Sequence, residues 1–183
     1  MTALPLADVD GVRIPDYAEP VEAWRVWRVG MRAGGVVLKS LFANAVWEPC
    51  VPLAAKCAGG HRSLLRPWRV TLNDHASPEL DCTCGIYGVS TPVAAREYLD
   101  PRRFLLFGDR VIGRVALWGD VVEGELGWRA SRAYPLELLI PVPAAEGGGY
   151  RRRAHLDEVA VELEAYRVPV DFVGPRLTAD VFR

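Results

Sequence analysis

Apolar residues along the chain follow two rhythms: alternation over most of its length, and a helical period in one late segment. From Ala23 the run AWRVWRV is rich in aromatic and β-branched residues. VVLKSLF follows after the glycine-containing stretch 30–35, so the pair predicts a β-hairpin. In VIGRVALW, Val111, Gly113, Val115 and Leu117 share one face, while Ile112, Arg114, Ala116 and Trp118 share the other. Apolar residues on both faces predict a central strand. Gly119 and Asp120 predict a bulge or bend before the strand resumes through VVEGE. WRASRAYP then leads into a strand at LELLIPV, and the tail VPVDFVGPRLTADVF supplies one short edge strand.

Two helices interrupt this pattern. Thr91 offers a capping hydroxyl and Pro92 the preset φ of a first helical residue, so VAAREYL reads as a short helix ending before Pro101. In AHLDEVAVELEAY, Leu156, Val159, Leu163 and Tyr166 recur at helical spacing, with Asp157, Glu158, Glu162 and Glu164 largely off that stripe. This longer helix, after the loop AAEGGG, packs its apolar stripe on the sheet. The fold expected is α+β, a mainly antiparallel twisted sheet or partly closed barrel with one long C-terminal helix.

Residues 1–20 are acidic and broken by proline, which predicts an irregular arm; residues 21–183 form a single domain. Within it, residues 47–90 carry prolines, glycines and every cysteine with little periodicity, the pattern of a loop-rich, metal-stapled insertion. With 183 residues the chain is long enough to bury a core of its own. Its 22 basic and 23 acidic residues leave a net charge of -1, so no global field draws it to nucleic acid or anionic membrane. No apolar run approaches the roughly 20 residues that span a bilayer, and the N-terminus is unlike a signal peptide. A cytoplasmic protein is expected, with no membrane partner. In a reducing compartment, cysteines serve as metal ligands or buried thiols rather than disulfides.

The stretch KCAGGHRSLLRPWRVTLNDHASPELDCTCGIYG holds three cysteines and two histidines. Cys57, His75, Cys82 and Cys84 make a Cys3His set suited to tetrahedral structural zinc, with an iron–sulfur cluster as the lesser alternative. Cys82 and Cys84 are one residue apart, so the backbone must bend to aim both sulfurs at one ion, and Gly85 permits the bend. His75 is preferred over His61 because its loop, Asn73 to Pro78, turns directly toward the cysteine pair. Cys50, after Pro49, reads as a packed small hydrophobe. A zinc-deaminase pattern is not met: Ala76 and Ser77 follow His75 where the glutamate belongs, and the cysteines are C-x-C.

A second conspicuous stretch runs from Val111 to Pro135. One reading is a strand–bulge–strand in which Arg129 pairs with Glu123 or Glu125. The other is a ligand groove lined by Trp118, Glu123, Trp128, Arg129 and Tyr134, suited to a flat or anionic molecule. Trp47-Glu48-Pro49, a lone Cys, H-x-x-P-x-x-x-C-x-C-G-I-Y, V-x-G-R-V-x-L-W-G-x-V-V-E and G-W-R-A-x-x-A-Y-P occur in this order over most of residues 23–170. In these motifs the chain resembles a family of small actinobacterial proteins with no assigned activity. The resemblance implies that Cys57, His75, Cys82 and Cys84 act as a set. A fainter likeness, in the G-x-V-x-L strand and charged turn, is to PUA-like domains such as ASCH, many of which bind RNA or modified bases.

Ser-His-Asp, P-loop and Rossmann patterns are missing from the sequence. The expected function is therefore a non-catalytic binding or adaptor protein with a structural zinc, its partner a protein or small molecule. Nucleic-acid binding is the alternative, through Arg25, Arg28 and Arg32 beside Trp24 and Trp27, and through Arg151, Arg152 and Arg153. A zinc-dependent hydrolase using Glu79 or Asp74 as base is the second alternative.

Overall fold

The computed structural model describes residues 8–9, 12–13, 19–57, 60–62, 70–72, 75–99, 109–142 and 149–174. Within the N-terminal arm, β1 (Asp8–Val9) and β2 (Val12–Arg13) pair as a two-residue ribbon. The expected hairpin is present as β3 (Val21–Arg32) and β4 (Gly35–Ser40). Its turn is tighter than the glycine spacing implied: Ala33 and Gly34 alone make it, and Gly30 pairs with Val37 inside the ladder. Short strands β5 (Val46–Trp47), β6 (Leu53–Ala54), β7 (Gly60–Arg62) and β8 (Val70–Leu72) follow, with β7 and β8 forming a separate ribbon. Then come β9 (Ile86–Val89), α1 (Pro92–Arg96), β10 (Arg110–Gly124), β11 (Gly127–Pro135), β12 (Leu138–Pro141), α2 (Gly149–Leu163) and β13 (Val170–Val173).

The main sheet curls until part of it closes. β10 pairs with β11, β11 with β9, β9 with β3 and β3 with β10, all antiparallel. The β9–β3 seam is the narrowest, a single pairing of Trp24 with Val89. β12 and the parallel β13 extend the sheet at one end, β4 and β5 at the other. β10 is the central strand its two apolar faces predicted. Val111, Val115 and Leu117 join the larger core with Trp27, Leu38 and Trp47. Ile112, on the other face, joins a smaller cluster with Val26, Leu41, Ala95, Leu139 and Val173, partly covered by α1.

Closure depends on a bend in β10. Trp118 pairs with Arg132 and Val121 with Ala130, so Gly119 and Asp120 stand opposite Ser131 alone, a one-residue bulge. Gly119 has φ +78, and a Cβ there would lie 2.2 Å from Ser131 Oγ. Ser131 Oγ accepts from Asp120 N at 2.9 Å and donates to the Trp118 carbonyl at 3.4 Å, replacing ladder bonds that the bulge interrupts.

Both helices follow their sequence signals. Thr91 Oγ1 accepts from Ala94 N at 3.2 Å, capping α1. On α2 and the 3-10 turn after it, Leu156, Val159, Leu163 and Tyr166 are all buried. Tyr166 ties this helical end to the sheet: its hydroxyl accepts from Leu38 N at 2.8 Å and donates to the Trp47 carbonyl. Trp47 in turn meets Trp27 edge-to-face, ring centroids 5.5 Å apart. No described helix is long and apolar enough to cross a membrane. The AAEGGG loop up to Gly148, Pro101, and the tail beyond Gly174 lie outside the described residues.

Burial pushes the Tyr166 hydroxyl up to about 12 from its ordinary 10. Tyr166→Phe strands a buried donor and acceptor and should cost about 1–3 kcal/mol in urea unfolding. The same change should alter the alkaline limb of the stability profile. Between pH 10 and about 12 the unfolded tyrosine has lost its proton while the folded one keeps it, so native stability contributed by Tyr166 falls as pH rises. The phenylalanine variant should lack that component of the slope.

Candidate metal centre

Three chain segments converge beside β11. The first is the strap through β6, where Leu53 and Ala54 pair with Ala133 and Arg132, and Ala55 N donates to the Ser131 carbonyl at 2.7 Å. It delivers Cys57. The second is the loop from His75 to Cys84, and the third is β9, which continues that loop and pairs with β11 from Ala130↔Ile86 to Gly127↔Val89. Cys57, His75, Cys82 and Cys84 thereby meet, with one potential ligand atom from each lying within 4.8 Å of all the others. This group could hold a metal ion.

All four cysteines are free thiols, and the Cys57 and Cys82 sulfurs are 3.7 Å apart. That is far beyond a disulfide bond of about 2.05 Å. It matches the edge of a tetrahedron with metal–sulfur bonds of about 2.3 Å, about 3.8 Å. His75 Nδ1 lies 2.7 Å from the Ala76 carbonyl and 3.0 Å from Glu79 Oε2. Both are acceptors, so Nδ1 carries the proton and the buried Nε2 keeps the lone pair a metal requires. Glu79, considered above as a hydrolytic base, is thus the carboxylate that orients the histidine. Asp74 and the side chain of His61 lie outside the described residues.

The Cys82 and Cys84 thiols are pushed in opposite directions. Burial disfavours the Cys84 thiolate, but hydrogen bonds from Ser77, the Glu79 backbone, Cys82 and Cys57 outweigh it and draw its pKa below the ordinary thiol value. At Cys82 a backbone hydrogen bond at Cys84 favours the thiolate. Desolvation and the nearby Cys84 and Cys57 sulfurs prevail, raising the pKa. One negative charge is favoured in the cluster and a second is resisted, which a divalent cation would relieve.

The loop is braced from β11. Arg129 Nη1 donates to the carbonyls of Cys82 and, at 2.8 Å, Cys84, while Nη2 donates to Leu80 at 3.2 Å. Gly85 makes the bend with φ +124, and a Cβ there would press on Arg129 Cβ at 3.1 Å and Pro78 Cβ at 3.2 Å. Tyr87, just beyond, donates its hydroxyl to the Thr83 carbonyl at 2.6 Å.

The other expected site residues are distributed differently. Glu123 pairs with Trp128 and Trp118 with Arg132, so these project alike, whereas Arg129, next to Trp128, projects to the opposite face. Arg129 is therefore not in a groove with Trp128, nor paired with Glu123 or Glu125, because its guanidinium is committed to the carbonyls of Leu80, Cys82 and Cys84. Tyr134 Oη accepts from Cys50 N at 2.7 Å and donates to the Tyr166 carbonyl at 2.9 Å, a structural position. Cys50 is exposed rather than packed, in a left-handed turn at φ 58, with its thiol directed to the Ala165 carbonyl at 3.5 Å. Arg25 turns inward over the Trp47 ring and donates to Ser40 Oγ and the Tyr87 carbonyl. Arg32 pairs with Glu48, and Trp27 is fully buried. Sequence reasoning missed the bracing role of Arg129, since its partners are 45 to 49 residues away.

No family model, curated protein or solved structure matches this chain.

Cobalt(II) should bind one per chain and give sulfur-to-metal charge-transfer absorption. Affinity should rise with pH, because the thiols must shed protons to ligate. Cys84→Ser and His75→Ala should each weaken binding by more than about 100-fold, exceeding the usual effect of outer-shell changes. An unchanged cobalt spectrum in either variant would contradict this ligand set.

Proposed function

We propose that the protein is a non-catalytic binding or adaptor module in which Cys57, His75, Cys82 and Cys84 hold one structural zinc ion. The observation that carries this reading is the convergence of four soft or borderline donors within 4.8 Å, on segments with few apolar anchors of their own. Three thiolates and an imidazole are a zinc donor set, and four protein ligands complete the tetrahedron. No position then remains for the water that a hydrolase must activate, and Glu79 is engaged on His75 instead of facing a substrate. The zinc would staple the Cys57 strap and the 75–85 loop to β11, leaving the rest of the sheet surface for a protein or small-molecule partner.

Metal analysis of protein purified without added metal is the direct test, with about one zinc per chain expected. Chelation should raise amide exchange across residues 75–85 well before β3, β10 and α2 lose protection. Absence of zinc, or hydrolytic turnover abolished by Glu79→Gln, would overturn the proposal.

One observation favours nucleic acid as the partner class. Arg28 on β3 and Lys39 on β4 stand in register, two half-buried cations side by side, whereas Arg110, in register with Arg28 on β10, is buried and donates to the Tyr98 carbonyl. Neither Arg28 nor Lys39 has a carboxylate partner among the described residues. Adjacent like charges oppose sheet pairing and would be relieved by phosphates. Binding to mixed-sequence RNA should weaken as salt rises, and Arg28→Gln with Lys39→Gln should flatten the log–log salt slope by about 2. A slope unchanged by the double substitution would remove this surface from consideration.

A further inference from the structure

We propose that Arg129 is the positioning residue of the metal site, setting the backbone of the Cys-x-Cys segment in its ligating shape and balancing the charge of the loaded centre. This rests on the zinc reading above and adds to it a group that is not itself a ligand.

The need for such a residue follows from local geometry. Two sulfurs one residue apart can reach one ion only if the backbone leaves the extended path, which takes it away from a strand partner. β9 pairs with β11 only from Ile86 onward. Upstream of that point, the carbonyls of Leu80, Cys82 and Cys84 receive their hydrogen bonds from the Arg129 side chain on the same β11. The guanidinium thus continues by side chain what the β11 backbone can no longer do by ladder. A planar fork with donors in fixed directions suits this task, whereas an ammonium on a flexible stem does not. Close contact between Gly85 and Arg129 Cβ keeps the loop seated on the strand.

Charge supports the same assignment. Three thiolates and a divalent ion sum to about -1, and a neutral imidazole leaves that unchanged. Arg129 lies against carbonyls of two of the ligating residues, so its positive charge opposes the residual negative charge where solvent is partly excluded.

The experiment compares zinc affinity by competition with a chromogenic chelator, and cobalt absorption, in the wild type, Arg129→Gln, Arg129→Lys and Arg132→Gln. Arg132 is exposed on the same strand and serves as the control. Arg129→Gln should bind zinc about 10–100-fold more weakly, as outer-shell losses do. Its cobalt bands should be altered in energy or intensity although all four ligands remain. Arg129→Lys, which restores charge without the fork, should recover only part of the loss, and Arg132→Gln should keep wild-type affinity. Should Arg129→Gln fail to fold by near-ultraviolet circular dichroism, Arg129→Lys carries the test alone, with an expected weakening of several-fold. Wild-type affinity and spectrum in the folded Arg129 variants would overturn this inference while leaving the zinc reading intact. A wild type that binds neither zinc nor cobalt would overturn both.

Discussion

Strand β11 is the constraint on which the remaining structure depends, because it must be paired along its whole length by elements from distant parts of the chain. Its C-terminal half takes β10 on one edge and the β6 strap on the other, and its N-terminal half takes β10 and β9. A strand with both edges occupied presents no template for aggregation. It also acts as a ruler: whatever pairs with it is fixed to within one residue. The cysteine and histidine donors meet because the segments carrying them are measured against the same strand.

The price of closing so small a circuit is a sharp bend, and the chain places it in β10 with a glycine and a hydroxyl. Gly119 supplies the conformation and Ser131 the replacement hydrogen bonds, so the strand can follow β3 with one half and β11 with the other. On the far side, α2 and its 3-10 extension cover the larger core. Tyr166 gives that helical layer a polar attachment as well as an apolar one, reaching β4 at Leu38 and β5 at Trp47. The result is a sheet whose two faces have separate apolar clusters, one beneath α2 and one beside α1.

The loop from His75 to Gly85 is a region of different character. Between His75 and Gly85 only Ser77 and Pro78 are buried, and no large apolar side chain of the loop enters either core. Hydrogen bonds from Arg129 and Tyr87, and an orienting carboxylate on His75, stand where hydrophobic packing stands elsewhere. Such contacts organise a loop but individually contribute little net stability, which is the physical setting in which a multidentate cation adds most.

Much of this was legible in the sequence, for identifiable reasons. Alternation and helical period reported the β3–β4 hairpin, the two-faced β10, the capped α1 and the apolar stripe of α2, since burial of one face imposes those periods locally. Donor chemistry singled out Cys57, His75, Cys82 and Cys84, because few other roles suit thiols and imidazole clustered in a loop. Arg129, Tyr134 and Cys50 were misread for a common reason. Their roles are set by partners 32 to 115 residues away, and nothing in their own neighbourhood records which carbonyl or hydroxyl will arrive. The sequence by itself determined the longer elements outside residues 47–90 and the donor types, through short-range periodicity and side-chain chemistry, while β6 to β9 were not marked by any local period. Only the tertiary structure decided that β9 and β3 close the circuit, that β11 gathers the donors, and that Arg129 faces the loop, because register and long-range hydrogen bonding exist only once the strands have met.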